Sequence, residues 1–254
     1  MMRTGNPALS DTIFSNARQS ATAESGTMTI AGTVNKTGAL LVLTTLAASW
    51  SWSVAYQPGL FAGEAIFVPT PFLWGGAIAG LVLALVTVWK KTWSPVSAPL
   101  YAVAEGLFLG ALSAGFEVRY PGIVVQAVLG TFGTLFALLM AYRSGMIRAT
   151  ENFKLGVAAA TGGIFLVYML SFVLGFFGIN IPFIHDSGPI GIGVSLFVVV
   201  VASLNLVLDF DFIENGESMG APKYMEWYAA FGLLVTLIWL YIELLRLLSK
   251  LRDR

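Results

Sequence analysis

Five acidic residues stand where an apolar chain should not carry them: Glu105, Asp209, Asp211, Glu226 and Glu243. Each lies in or at the edge of an apolar run long enough to cross a bilayer. An ionised side chain at that depth costs at least ~2.5 kcal/mol on insertion scales, so it persists only when paired, protonated or facing water. Two kinds of chemistry are open to such acids. Several carboxylate oxygens at one level make a weak site for a hard cation such as calcium. Two carboxyls sharing a site cannot both ionise cheaply, and their titration then belongs to the pair.

Spacing sorts the five. Glu105, in AVAEGLFLG, has no cation near it in sequence and falls about 10 Å into its run at 1.5 Å per residue. Asp209 closes the sixth run and Glu226 opens the seventh, so a hairpin of the two puts them at similar depth. These three acids are expected to converge on one third of the bundle. Asp211 is about 200° around the helix from Asp209, which points Asp209 inward and Asp211 toward the headgroups. Glu243 lies roughly 25 Å along the last helix from Glu226, with Arg246 three residues on to pair with it.

The elements that position these acids are plain in the composition. Of 254 residues, 57% are apolar and only 11% charged, where soluble domains carry about 25%. Mean hydropathy is +0.79. The chain is an all-α polytopic membrane protein. Seven windows of about twenty apolar residues qualify as spans: Gly38–Tyr56, Phe72–Trp89, Ala98–Phe116, Ile123–Tyr142, Leu155–Gly178, Gly188–Leu208 and Met225–Leu248. Residues 1–36 read as a flexible polar tail and 37–254 as the membrane domain. Prolines punctuate the connections, with Pro95 and Pro99 at the entry to the third helix and Pro222 in the first turn of the last. Strands are not expected, because the runs are continuous rather than alternating. Gly76 with Gly80, Gly106 with Gly110, and Gly162 with Gly163 mark close helix contacts.

Lys and Arg set the orientation. Seven spans put nine of the fourteen on the N-terminal side and five on the other, so the N-terminus is cytoplasmic. Six spans plus a re-entrant C-terminal segment would make the ratio thirteen to one and is the alternative. Length favours seven.

Several stretches carry a resemblance: TGNPAL at Thr4–Leu9, YAVAEGLFLGALS at Tyr101–Ser113, NLVLDFDFIENG at Asn205–Gly216 and the last helix with its LLRLL ending. In order and spacing they resemble the transmembrane Bax inhibitor motif family, most closely its bacterial branch, which implies the inner membrane. The resemblance implies a seven-helix bundle with the last helix central. It implies a calcium-permeable leak gated by an aspartate pair that shares a proton when closed. Asp209 matches the first aspartate, and Glu105 matches a pore acid. The second aspartate has no counterpart, since its place falls near Thr236. Glu226 is expected to take over that role and form a pH-sensing latch with Asp209. Asp209 and Glu105 would contact calcium in transit, and Asp211, Glu243 and Arg246 are secondary candidates.

Other classes fall away. There is no cysteine and one histidine, His185, which excludes thiolate chemistry and any site needing two histidines. No catalytic motif is present, so an enzyme is not expected, nor a resident cofactor. Zero net charge gives no field for nucleic acid. The expected partners are the lipid bilayer and calcium ions. The competing reading is an interaction protein that restrains a membrane-embedded quality-control protease, with the N-terminal tail as its handle.

Overall fold

The computed structural model describes residues 26–59, 65–68, 70–178 and 186–253. His185 and the Thr4–Leu9 stretch lie outside them. Seven long helices follow one another: α1 Ile30–Ala55, α2 Pro71–Trp89, α3 Ser94–Arg119, α4 Ile123–Arg143, α5 Glu151–Phe176, α6 Pro189–Ser218 and α7 Met225–Arg252. All seven are long and apolar enough to span a bilayer, as a fold in lipid requires when every backbone group must be satisfied within its own segment. The last helix is unbroken for 28 residues, about 42 Å, so seven spans describe it better than a re-entrant segment. It is also the most buried, with 67% of its apolar window covered against 11% for α5.

The boundaries differ from expectation at four places. α1 starts at Ile30 rather than Gly38, so the last residues of the expected tail are helical. Thr29 caps it, its hydroxyl accepting from the Gly32 N–H at 3.0 Å. The polar residues of α1 are quieted by their own helix, since Thr33 of the expected tail and Thr37, Thr44 and Thr45 beyond it each donate to the carbonyl four residues back. In α3, Pro95 sits in the first turn and Pro99 is absorbed inside the helix. α6 continues ten residues past Leu208, to Ser218. It ends where Gly220 takes a positive φ of 64° and the Ala221 N–H donates to the Gly216 carbonyl at 3.0 Å. Pro222 therefore lies in the turn before α7, not in its first turn. One short hairpin was not expected: β1 Tyr56–Pro58 pairs antiparallel with β2 Ala65–Phe67.

The chain divides into two compact units. The first holds the described residues through Val124 together with Ile213–Leu234; the second holds Val125–Phe212 and the chain from Val235. In the first unit α3 packs between α1 and α2. A Cβ on Gly106 would stand 2.5 Å from the Thr44 carbonyl oxygen of α1, and one on Gly110 would overlap the Ala48 carbonyl. From the other side, a Cβ on Gly76 would come within 2.7 Å of the Phe108 backbone nitrogen. These are the expected close contacts. Gly162 and Gly163 are not, because nothing lies within 4 Å of either Cβ position. In the second unit, Ile164 of α5 packs with Val198 and Val201 of α6, and Trp239 of α7 joins them.

Candidate functional site

Glu105 lies eleven residues into α3, about 17 Å from its start, deeper than its window suggested. Its carboxyl occupies the α2–α3 seam, where Gly80 leaves the space that a Cβ would fill. Among the described residues no Lys or Arg pairs with it.

Glu226 is in the first turn of α7 and 0% exposed. Its Oε1 accepts from the Thr29 N–H at 2.9 Å, the Thr29 hydroxyl at 2.9 Å and Lys223 Nζ at 2.7 Å. Its Oε2 is ion-paired with Lys36. Every one of these partners is a donor. That is the company of a fixed carboxylate, whereas a proton shared between two acids needs an acceptor opposite.

Level also separates Glu226 from Glu105. Near their starts α3 and α7 are joined by Ser94 Oγ donating to the Tyr224 carbonyl at 3.0 Å. Seven residues further along each, Tyr101 and Phe231 stack edge-on at 4.9 Å. The two helices thus run in step, and Glu105 lies about 14 Å further along than Glu226. Within the first unit, then, Glu105 and Glu226 stand at different levels rather than at the shared level expected of them; Asp209 belongs to the second unit.

Asp209 is 1% exposed and nine residues before the end of α6, not at a helix terminus. One turn earlier on the same face, buried Asn205 donates to Thr161 of α5 at 2.8 Å and to the Val201 carbonyl at 2.9 Å. A polar strip thus runs along the inside of α6. Asp211 was expected to be solvated among headgroups. It instead pairs at 2.8 Å with Lys154 of α5, whose side chain is 3% exposed. Lys154, a loop cation by its position in the sequence, lies in the first turn of α5 with its side chain buried. Replacing Lys154 with Met should cost about 1–3 kcal/mol, less than a fully buried pair because Asp211 keeps 18% exposure. Thermal unfolding in detergent would register it, and adding Asp211→Asn should restore most of the loss.

Glu243 and Arg246 form their i,i+3 pair at 2.7 Å. Tyr168 of α5 completes a triad, its hydroxyl donating to Glu243 at 3.2 Å and accepting from Arg246 at 2.9 Å. Glu243 is 1% exposed while Tyr168 and Arg246 are half-buried, so the triad is a partly buried polar lock between α5 and α7. Lys36, Lys154, Thr29 and Tyr168 were all missed from sequence. Two were counted as surface charge, and the others carry no signal until the helices are paired. Among the described residues no three acid or histidine side chains group closely enough to hold a metal ion.

Seven helices long and apolar enough to span a bilayer define an integral membrane protein. The chain belongs to the family described as Bax inhibitor 1 like, which matches residues 6–253. No curated protein sequence matches it significantly.

Proposed function

We propose that the protein is a pH-sensitive, calcium-permeable leak channel, with Asp209 as the proton-sensing acid and Glu105 lining the path. Family membership supports a transmembrane route. The observation that carries the reading is Asp209, buried at 1% exposure inside an unbroken α6. A carboxyl so placed changes the energetics of a passing cation whenever its protonation changes. Glu226 leaves the latch, because Lys36, Lys223 and Thr29 already occupy both its oxygens. Calcium is cargo here, met by single carboxylates and water rather than held in a cage. The N-terminus faces the cytoplasm, and the membrane is the inner membrane of a bacterium.

Calcium uptake by proteoliposomes of the purified protein tests the path. Uptake above that of protein-free vesicles is expected, and Glu105→Gln should reduce it severalfold by removing the charge from the α2–α3 seam. Equal uptake by the two proteins would remove Glu105 from the path. No uptake by either would leave the protease-restraining interaction protein as the better reading.

A further inference from the structure

The start of α1 is fastened to the turn between α6 and α7 by an unusual number of polar contacts. Thr27 forms an antiparallel bridge with Pro222. The Met28 N–H donates to the Ala221 carbonyl at 2.7 Å, and Met28 itself is 1% exposed. The Ile30 N–H donates to Glu217 Oε1 at 2.9 Å. Glu226 takes Thr29 through both its N–H and its hydroxyl, and pairs with Lys36. Gly32 is bare because a Cβ there would overlap the Glu226 carboxylate.

A helix start does not need all this. The Thr29 hydroxyl already provides an N-cap. The added acids come from the far end of the sequence and serve to hold one segment against one turn. Apart from the buried Met28 side chain, the hold is polar, and it is confined to the residues just before α1 and its first two turns. Further along, α1 is bound to α3 by the Gly106 and Gly110 contacts, which stay in place if the start comes away. Local opening of a short polar-held segment is among the least costly motions a fold allows.

We propose that Thr27–Lys36 is a detachable strap with Glu226 as its clasp, and that releasing the strap changes permeation by freeing the turn that ends α6, the helix bearing Asp209. The second half of this rests on the leak-channel reading; the first does not. The strap gives whatever engages the chain before Gly26 a mechanical route to the α6–α7 turn.

The chain has no cysteine, so engineered ones report without background. Met28→Cys should react slowly with a maleimide in detergent micelles. Adding Glu226→Gln should speed labelling about tenfold or more by raising the open fraction of the strap. Lys36→Met, a milder change, should give an intermediate rate with an unchanged gel-filtration profile. Equal rates in all three proteins would overturn the clasp. For permeation, Thr27→Cys with Pro222→Cys places two thiols across an antiparallel bridge, where Cα atoms are about 4.5–5.5 Å apart and a disulfide fits. Calcium uptake should be lower with the bridge oxidised and recover on reduction. Identical uptake in both states would overturn the regulatory role. Absence of uptake even in the wild type would instead refute the leak reading and leave the labelling rates to decide the clasp.

Discussion

Gly110→Leu should prevent the protein from reaching its folded state. The first atom of any side chain at this position overlaps the Ala48 carbonyl oxygen. That oxygen is helix backbone, so relief requires moving α1 away from α3. One turn earlier, Gly106 faces the Thr44 carbonyl and the Ala47 side chain almost as closely. The two glycines form a stripe that lets the backbones touch, and in lipid such contact replaces the hydrophobic drive that water would supply. Overpacking costs about 1–3 kcal/mol where neighbours can adjust; here a whole helix must shift, so the loss should exceed that range. Ser51, whose hydroxyl donates to the Leu107 carbonyl at 2.7 Å, would lose its partner in the same movement. Gly163→Ala is the control. Its Cβ meets nothing within 4 Å, and alanine is the better helix former by up to about 1 kcal/mol. Gel filtration from detergent should show aggregate for Gly110→Leu and a single sharp peak for Gly163→Ala.

Arg246→Met should cost about 3 kcal/mol of stability, more than most single changes in the bundle. It strips Glu243, 1% exposed, of its hydrogen-bonded cation, leaving the Tyr168 hydroxyl as a neutral donor and Lys250 as the cation one turn beyond. Breaking a buried pair by one partner typically costs about 3–5 kcal/mol, because the survivor's charge is stranded. Hydrogen bonds between membrane helices average nearer ~0.6 kcal/mol, and the 35% exposure of the Arg246 side chain draws the figure toward the lower end of the ion-pair range. The asymmetry is the test. Glu243→Gln with Arg246→Met should recover most of the loss, since two neutral groups remain and no charge is stranded. Thermal unfolding of the wild type, both single variants and the double variant gives the coupling directly. Additive losses would mean that the triad is not a unit.

The spans were legible because a bilayer makes a simple demand on sequence: about twenty apolar residues in a row. Hydropathy marks where the oil lies, but helices continue beyond it, and that is where reading fell short. Residues Ile30–Lys36 look like tail because Thr, Asn and Lys dilute the apolar signal. They are helix because Thr29 caps them and Thr33 turns its hydroxyl to the helix backbone. The ten residues after Leu208 look like an exit because Asp209 and Asp211 seem to end the oil. They are helix because Lys154 answers Asp211 from α5. The glycine pairs at 76/80 and 106/110 were found from spacing alone, yet the same rule flagged Gly162 and Gly163, where no neighbour approaches. Spacing names a face that could be approached, and only the fold says what approaches it.

The acids divide along the same line. Which residues are charged at depth could be read from sequence. Of their partners Arg246 could, three residues from Glu243 on the same helix; three others could not, because they come from helices distant in the chain: Lys36 on α1 for Glu226, Lys154 on α5 for Asp211 and Tyr168 on α5 for Glu243. Glu226 shows the consequence. Its depth suggested a titrating partner for Asp209, and its contacts make it an anchor for the start of α1.

The most direct test of the leak-channel account is calcium uptake into proteoliposomes at about pH 6 and about pH 8, for the wild type and for Asp209→Asn. The account predicts uptake that differs between the two pH values in the wild type and is the same at both in the variant, because the group that changes charge is gone. A pH dependence that survives intact in Asp209→Asn would contradict it, and NLVLDFDFIENG would then be a stretch of helix whose acids serve the fold alone.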